Sequence, residues 1–527
     1  MRQRHKTKRR VYHAIPTGMC EVASIVSRIK KFNLASVVSY ISQESHRLRQ
    51  ANMPFERANS GAGPLIRQDG LAFLAKTALM HGRMYRDRAL DRTAFWQLCQ
   101  MYNDLYDPFI GSSAGDAEAF PDFLLRTAYQ EFPFQEGTRA LIPRALYLYV
   151  DLDQRLAPDL DFGLSEQFQR QTGLTPQDYM VLGFICLVYA GKNQGYVNSE
   201  GITNINIGNL AIYTLPEKVS RFLDIVRCDI PTFKHECRLA RISDLYMEKH
   251  EFNPLRKFPI VEIESWPRGS QPPFMMLPIP VLMLERLTEG IYWLLLDRFR
   301  EDGRLNEFFR AFGALFQEYV GLHLARYCPE NELLLETTYG QGEKFADWVI
   351  LEGDTAVLIQ CKTKRITSEV KTTMDIELLQ EDLRKGIGEA VIQLAKNVHK
   401  AKEGVPGLEA VSRRQHFIGL VVLPDAVYLA NTPIIRPLIE EQLREEIGKG
   451  NLRGLSIDDL LSLQYCVMSV REFEDHIPLK KQMPFFKVLR EFMDYDKHPK
   501  AYDLSGIQND LLKDKFDEFF GELLSST

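Results

Sequence analysis

The sequence predicts an α/β protein: a mixed β-sheet core flanked by helices, with a large, mostly α-helical region before it and a helical tail after it. Two observations support this fold class. Over residues 20–241, apolar residues recur at spacings of three and four, which is the pattern of an amphipathic helix face. Between residues 333 and 423 the period changes, and short β-rich runs stand next to one long helical pattern.

The N-terminal region, residues 1–252, is predicted to be mostly helical. We interpret it as the part of the chain that recognises a substrate, a partner protein or a second copy of the chain. The basic residues between Arg2 and Arg10 form either a solvated tail or an arm that binds phosphate, and the sequence leaves both open. The helical pattern is clearest in Ala23–Arg49, Gly70–His81, Arg92–Tyr106 and Pro216–Val226.

Proline marks the end of this region. Residues 253–280 contain seven prolines. Because proline has no backbone N–H and cannot continue a helix, this stretch is predicted to be a connector. The core domain is placed at residues 281–432. Residues 433–527 are predicted to be a helical C-terminal region that ends in the amphipathic segment Leu511–Leu524.

The core domain shows a characteristic order of elements: helix, three strands, helix, strand. Apolar periodicity defines the helices, and β-branched and aromatic runs define the strands. The predicted elements are the helix Leu305–Tyr327, the strands Leu333–Thr338, Phe345–Glu352 and Thr355–Lys362, the helix Asp375–Lys402 and the strand Phe417–Leu423.

The second and third predicted strands form a hairpin. They are separated by Gly353-Asp354, a two-residue loop of the type that has glycine at its first central position. That loop fixes the register, so that Asp347 lies opposite Gln360, with their Cβ atoms roughly 5 Å apart. Lys362 follows on the same face, because side chains alternate along a strand. Trp348 is expected to point to the other face, into the core.

One face of this hairpin therefore presents a carboxylate, an amide and an ammonium in apolar surroundings. Burying three such groups is unfavourable unless they bind something. A divalent cation fits, because Asp347 supplies a charged oxygen and Gln360 a carbonyl oxygen, and Mg²⁺ keeps several waters beside one or two protein ligands. Lys362 is then placed to activate the attacking water or to neutralise charge on a phosphate.

This arrangement resembles the PD-(D/E)xK nuclease superfamily, the restriction-endonuclease-like proteins. Asp347 matches the acidic position of that motif, and Gln360-Cys361-Lys362 matches its second half in the glutamine (QxK) form of Mrr-type restriction enzymes. Ala346 stands where the motif has proline. The resemblance covers roughly residues 305–429, about a quarter of the chain.

The resemblance implies a restriction-endonuclease-like core and a metal-dependent endonuclease that hydrolyses DNA phosphodiester bonds. Mg²⁺ or Mn²⁺ is the expected cofactor, and DNA is favoured over RNA as the partner. Proteins that join such a core to a large helical region are similar to effectors of bacterial antiviral defence or restriction systems. The alternative is a non-catalytic scaffold that binds nucleic acid or protein through a degenerate nuclease fold, since Gln360 lowers the negative charge of the site.

The resemblance also implies supporting residues around the motif. Glu318, on the helix before the core, is a candidate third metal ligand, and Glu336 and Glu343 are rivals for that role. Gln393, on the long helix after the hairpin, occupies a place where related nucleases often have glutamine. The basic residues near the motif are candidates for contacts to nucleic-acid phosphates: Lys344, Lys364 and Arg365.

Composition excludes several other classes of protein. The chain is 45% hydrophobic and 26% charged, as globular proteins are, so disorder is not expected. Its 8 cysteines include no CxxC pair, which favours free thiols in the cytoplasm over disulfides or zinc. No apolar run is long enough to cross a membrane. The net charge of −5 argues against a wholly basic DNA clamp but permits a local basic groove.

Overall fold

The structure is a computed structural model, which carries side chains. It describes residues 19–58, 63–106, 128–129, 134, 138–205, 208–241, 248–264, 273–335, 338–339, 343–373, 376–428, 430–433, 435–448, 463–493 and 508–525. The basic residues 2–10 and Glu336 lie outside this set, and so does the side chain of Glu343. The structural statements below refer to the described residues.

The helices of the described chain are numbered here in chain order. They are α1 Val22–Ile29, α2 Leu34–Gln50, α3 Gln68–His81, α4 Arg92–Asn103, α5 Thr138–Leu146, α6 Leu152–Leu160, α7 Leu164–Thr172, α8 Pro176–Lys192, α9 Ser199–Thr203, α10 Pro216–Val226, α11 Ile230–Leu239, α12 Pro280–Glu301, α13 Leu305–Tyr327, α14 Ser368–Thr373, α15 Ile376–Leu383, α16 Glu389–Lys402, α17 Glu409–Ser412, α18 Arg436–Gly448, α19 Val470–His476, α20 Phe485–Met493 and α21 Asp510–Leu524. Two π-helical turns, Tyr147–Asp151 and Arg384–Gly388, precede α6 and α16.

The strands are mostly short. They are β1 Phe55–Arg57, β2 Leu65–Arg67, β3 Tyr196–Val197, β4 Arg227–Asp229, β5 Ile260–Ile263, β6 Phe274–Met276, β7 Leu333–Leu335, β8 Thr338–Tyr339, β9 Glu343–Lys344, β10 Trp348–Glu352, β11 Thr355–Cys361, β12 His416–Leu423 and β13 Gln464–Ser469. The described chain also contains four 3₁₀ segments: Gly208–Ile212, Pro254–Arg256, Glu330–Glu332 and Ile477–Lys481.

The chain divides into two compact units that are not simple halves of the sequence. The first contains residues 1–135, 190–197 and 227–281, and the second contains residues 136–189, 198–226 and 282–527. The first unit has helices α1–α4 and α11, a two-stranded ribbon, and a four-stranded sheet in the order β3-β6-β5-β4. The predicted connector at residues 253–280 contributes β5 and β6 to that sheet, so it is structured in the first unit.

The second unit is built on a five-stranded mixed sheet in the order β13-β12-β11-β10-β7. β11, β12 and β13 run parallel, and β10 and β7 run antiparallel to their neighbours. β10 and β11 are buried along almost their whole length, which explains their nearly continuous apolar sequence. The predicted mixed sheet flanked by helices is therefore present.

Several individual elements differ from the prediction. The predicted strand over Phe345–Glu352 begins only at Trp348, and Phe345 to Asp347 precede it as an irregular segment. The long predicted helix is interrupted by the π-helical turn. The region after residue 432, predicted to be helical, also contains a strand, because β13 forms the outer strand of the sheet.

A helix packs on each face of this sheet. Trp348 points to α13, where its indole N–H donates to the carbonyl of Gln317 (3.1 Å). A Cβ on Gly321 of α13 would overlap the same ring, so glycine is required for this close approach. On the other face, Leu394 of α16 lies over Gly419 of β12 in the same way. The hairpin is therefore held between α13 and α16.

A buried polar network joins α5, α13 and α19 in the second unit. Arg144 donates two hydrogen bonds to the Glu474 carboxylate (2.7 and 2.6 Å), and the Tyr319 hydroxyl donates a third (2.6 Å). His323 is fully buried beside them and accepts from the Asn509 side chain (3.3 Å). Its Nε2 is buried without a hydrogen-bond partner among the described residues.

This network predicts a loss of stability in mild acid. Burial, with a smaller contribution from the Arg144 guanidinium, lowers the pKa of His323 from 6.5 to about 3. Below pH 6.5 the imidazole of His323 binds a proton in the unfolded chain. In the folded chain it does not bind that proton until about pH 3. The contribution of His323 is therefore complete above pH 6.5 and falls by about 1.4 kcal/mol for each pH unit below it.

Urea unfolding at a series of pH values between about 7 and about 4 measures this slope. In the His323→Leu variant, the free energy of unfolding should fall less steeply with decreasing pH, by about 1.4 kcal/mol per pH unit. Equal slopes for the wild type and His323→Leu would contradict the assignment.

No helix in the described parts of the chain combines the length and the apolar character needed to span a bilayer.

Candidate active site

The hairpin of β10 and β11 has the predicted register. Trp348 pairs with Ile359 at one end of the ladder, and Glu352 pairs with Thr355 at the turn. Gly353 has a φ of +55°, and Asp354 is not among the residues with positive φ. This is the turn in which glycine takes the first central position, as its sequence predicts.

Asp347 and Gln360 meet where this ladder ends. The side-chain amide of Gln360 donates to Oδ2 of Asp347 (2.9 Å), and the backbone N–H of Cys361 donates to the same oxygen (2.6 Å). Both side chains are buried, with exposures of 8% for Asp347 and 3% for Gln360. The predicted juxtaposition of the acid and the amide is confirmed. The other amide atom, Gln360 Oε1, is buried and has no hydrogen-bond partner among the described residues.

Lys362 lies just beyond the end of β11. Its backbone N–H donates to the carbonyl of Val422 on β12 (3.0 Å), which extends the parallel pairing by one residue. Its ammonium donates to Oε1 of Gln393 (3.0 Å) on α16. Two of the predicted residues, Lys362 and Gln393, are therefore brought together, and α16 covers the face of the hairpin that presents them.

The structure places Glu318 away from this face. Glu318 lies on α13, the helix that packs against Trp348, whereas Asp347 and Gln360 use the opposite side of the hairpin. Its carboxylate forms an ion pair with Arg155 of α6 (2.7 Å). The structure thus gives Glu318 a cationic partner on α6.

The three basic residues near the motif have three different environments. Lys344 is exposed on the short strand β9. Lys364 is one third exposed, and its ammonium lies 2.9 Å from the buried carboxylate of Asp382. Arg365 belongs to the interior, with a side chain that is 11% exposed. Of the three, Lys344 and Lys364 present a cation to solvent.

Arg365 has a carboxylate and an aromatic ring as partners. It hydrogen-bonds to Asp425, and its guanidinium lies 4.2 Å from the centre of the Tyr292 ring on α12. Burial raises the pKa of Asp425, but the charges of Arg365 and Lys371 outweigh it and hold that pKa below its usual range. We therefore interpret Arg365 as part of the support of the site, in place of the predicted phosphate contact.

Sequence reasoning did not identify Asp382 and Asp425. Asp382 also accepts from the backbone N–H of Thr367 (2.8 Å), so the two aspartates together fix the connection that follows Lys362. One signal was available for Asp425: it comes shortly after an apolar strand, where the C-terminal ends of parallel strands gather polar residues. No comparable signal marks Asp382, because it lies within a helical pattern.

The donor set at the hairpin fits a hard divalent cation. A buried carboxylate lies beside an amide whose carbonyl oxygen lacks a partner, and such oxygens are the ligands that Mg²⁺ and Mn²⁺ take in proteins. In the described part of the chain no cluster of three or more Asp, Glu, His or Cys side chains is suited to a metal. The Asp347 carboxylate and the Gln360 carbonyl oxygen are therefore the two protein oxygens of this site that could bind such a cation.

The charges around the motif shift the pKa of Cys361, which lies between Gln360 and Lys362. Burial raises the pKa of the Cys361 thiol well above its ordinary value, and the Asp347 carboxylate raises it further, while Lys362 lowers it. The thiol is therefore not a nucleophile at neutral pH. The acid, amide and ammonium groups are the other polar side chains that this face presents.

The comparisons with known proteins give no assignment. No family model, no curated protein and no solved structure matches the chain.

Proposed function

We propose that this protein is a metal-dependent endonuclease that hydrolyses DNA phosphodiester bonds at the Asp347–Gln360–Lys362 site. The observation that supports the proposal most is the orphaned oxygen of Gln360, buried beside the Asp347 carboxylate and next to a lysine. A buried carbonyl oxygen without a partner is unfavourable by about 1–3 kcal/mol, which a bound cation would offset. The proposed place in a bacterial defence or restriction system rests on the family resemblance alone.

Asp347 and Gln360 would hold the metal ion. The Gln360 amide donates to Asp347 through its nitrogen, and its oxygen is the acceptor without a partner that a cation would take. The backbone N–H of Cys361 holds the Asp347 carboxylate in place. When bound, a divalent cation polarises a phosphoryl oxygen and lowers the pKa of its water.

Lys362 acts on the phosphate. Its ammonium is held by the neutral oxygen of Gln393, so its positive charge is not neutralised by that contact. A cation fixed at this point stabilises the charge that develops on the phosphoryl oxygens as water attacks. Lys364 and Lys344 remain candidates for contacts with flanking phosphates, since both reach the surface.

Cleavage of supercoiled plasmid and of end-labelled DNA tests this proposal. The purified chain is incubated with Mg²⁺, Mn²⁺ or EDTA, and an RNA of the same sequence serves as the second substrate. We expect cleavage of DNA that requires the metal and is lost in Asp347→Ala. Cleavage that persists equally in EDTA, or in Asp347→Ala, would assign the activity to a contaminant and contradict the proposal.

A non-catalytic scaffold is the second candidate function. Two observations favour it: the site has one carboxylate among its described ligands, and Glu318 is bound to Arg155. In that case nucleic acid or a partner protein would bind without being cut. Mn²⁺ binding together with intact DNA after long incubation would support the scaffold over the enzyme.

Charge at position 360 should set the metal affinity. We expect Gln360→Glu to bind Mn²⁺ at least about tenfold more tightly, because the added carboxylate attracts the cation. For each pair of unit charges roughly 4 Å apart, that attraction is about 1 kcal/mol at ε ≈ 80 and about 4 kcal/mol at ε ≈ 20. Without metal the same variant should unfold at a lower temperature, since two carboxylates then face each other. Calorimetric titration with Mn²⁺ and thermal unfolding in EDTA measure the two effects. Unchanged affinity would show that position 360 is not a ligand.

A further inference from the structure

Two segments of the first unit form a strongly basic surface. They are residues 28–31 and the loop of residues 83–92, which together we call the arginine patch. The patch contains seven arginines or lysines and two aspartates. Most of this loop, including Tyr85, Arg86 and Arg88, is exposed. The local surplus of five positive charges contrasts with the net charge of −5 for the whole chain.

Asn33 fixes the two segments of the patch against each other. Its side-chain amide donates to the carbonyls of Met84 (2.7 Å) and Arg86 (3.0 Å). Its backbone N–H donates to the carbonyl of Arg88 (2.8 Å). Its Oδ1 accepts from the N–H of Ser36 and so caps α2. The loop that bears the arginines is thereby built into the helical framework.

Aromatic rings order the guanidinium groups of the patch. Arg83 and Arg86 lie over the ring of Tyr85, with 5.6 and 5.3 Å to its centre. Arg88 lies over Phe32 at 4.9 Å. Stacking restricts an arginine side chain without neutralising its charge. Arg86 also donates through Nε to the carbonyl of Lys30 (3.2 Å). The terminal N–H groups of Arg83 and Arg86 remain available to a ligand.

Carboxylates of the described chain do little to neutralise these charges. One ion pair joins described residues within the patch, Arg88 with Asp91 at 3.6 Å, and both side chains are more than half exposed. Such a pair contributes little. Arg28 hydrogen-bonds to the neutral side chain of Gln97. The charge of the patch is therefore largely uncompensated.

Neighbouring cations extend the positive field beyond the two segments. Burial lowers the pKa of His81, and the charges of Lys30, Lys234 and Arg241 lower it further. Lys234 lies on α11, so a third segment of the first unit adds positive charge. Arg241, which follows that helix, is paired with Glu248 (3.9 Å).

We propose that the arginine patch binds the phosphodiester backbone of a nucleic acid. Several guanidinium groups that are exposed, held by aromatic rings and uncompensated are the features that phosphate recognition requires. They project from a backbone segment that Asn33 holds, which suits a row of successive phosphates. The proposal is independent of cleavage at Lys362, because binding can be measured without metal.

Fluorescence anisotropy in EDTA tests the patch, with a labelled single strand of about 20 nucleotides and a duplex of about 20 base pairs as probes. We expect the full-length chain to bind at least one probe with a steep salt dependence. The variant R83A/R86A/R88A should weaken binding by at least about tenfold and reduce the slope of log K against log[salt] by about two to three. Equal affinity and slope for the wild type and this variant would overturn the proposal.

Two matched variants separate the patch from net charge and from loss of fold. R57A/R170A/K396A removes three exposed cations elsewhere in the chain and should bind as the wild type does. R83K/R86K/R88K keeps the charge and should keep the salt slope while losing affinity, because lysine cannot present a planar fork of donors. An equal loss in the R57A/R170A/K396A control would overturn the proposal, and so would binding to phosphatidylserine vesicles with none to either nucleic acid.

Discussion

Replacement of Lys362 by alanine is expected to lower the rate of DNA cleavage by about 10²–10³-fold, the usual effect of removing one group that stabilises transition-state charge. Mn²⁺ binding should be retained or become tighter, because the proposed ligands Asp347 and Gln360 keep their own contacts and one repulsive charge is removed. The variant would then separate the chemical step from the metal site.

Single-turnover cleavage and calorimetric titration with Mn²⁺ measure the two quantities on the same preparations. Asp347→Ala should lose both cleavage and metal binding. Lys396→Ala is the matched control, since Lys396 is an exposed lysine on α16, the helix that bears Gln393. If Lys362→Ala cleaves at the wild-type rate, Lys362 has no part in the chemistry, and the site has lost its proposed catalytic cation.

The hairpin could be predicted in detail because its geometry is local. The Gly353-Asp354 turn sets which residues face each other, and the period of two carries that register along both strands. The pairing of Trp348 with Ile359 follows from it, and so does the contact between Asp347 and Gln360. Contacts between residues a few positions apart in sequence need no knowledge of the rest of the chain.

The residues around the hairpin depend on contacts that are distant in sequence. Glu318 has the position along α13 that the family resemblance implies, but the side of the sheet on which α13 packs is decided by Trp348 and Gly321. Arg155, which binds Glu318, precedes it by 163 residues. A helical pattern shows that a glutamate is on a surface, and it does not show which side chain meets it there.

β13 was missed for a related reason. Its sequence, Gln464 to Ser469, is a short apolar run between residues with helical pattern, and periodicity alone does not distinguish a buried strand from a buried helix turn at that length. It is a strand because it pairs with β12. At Val467 the backbone N–H and carbonyl form hydrogen bonds with the Asn431 side chain (2.8 and 2.7 Å).

Arg365 shows how the same residue type can serve opposite purposes. A basic residue three positions after Lys362, the proposed catalytic lysine, is a reasonable candidate for a phosphate contact. The sequence does not show whether its side chain is buried. Asp425 and Tyr292 enclose it, and they come from the connection after β12 and from α12. The structure therefore makes Arg365 a residue whose contribution to stability can be tested.

We expect Asp425→Asn to lower the free energy of unfolding by about 3–5 kcal/mol, since it leaves the buried guanidinium of Arg365 without its carboxylate. The attraction between Arg365 and Glu289 remains, which places the effect nearer the lower end. Urea unfolding followed by circular dichroism at neutral pH measures it. The control is the exposed ion pair of Arg170 and Glu166, where Glu166→Gln should change stability by less than about 1 kcal/mol.

A double variant, Arg365→Met with Asp425→Leu, removes both charges together and should recover most of the lost stability, because a buried ion pair replaced by apolar groups of similar volume is often neutral. If the ion pair served stability alone, cleavage would recover with the fold. If it also fixes the connection after Lys362, the double variant should be stable and still cleave more slowly, with its Mn²⁺ affinity unchanged. If the double variant is as unstable as Asp425→Asn, the lost free energy of unfolding comes from packing around Tyr292 and not from the unpaired charge of Arg365. The distinction matters for the site, because Lys362 and Arg365 are joined by only two residues, and a guanidinium held at both Asp425 and Tyr292 leaves that short segment little freedom.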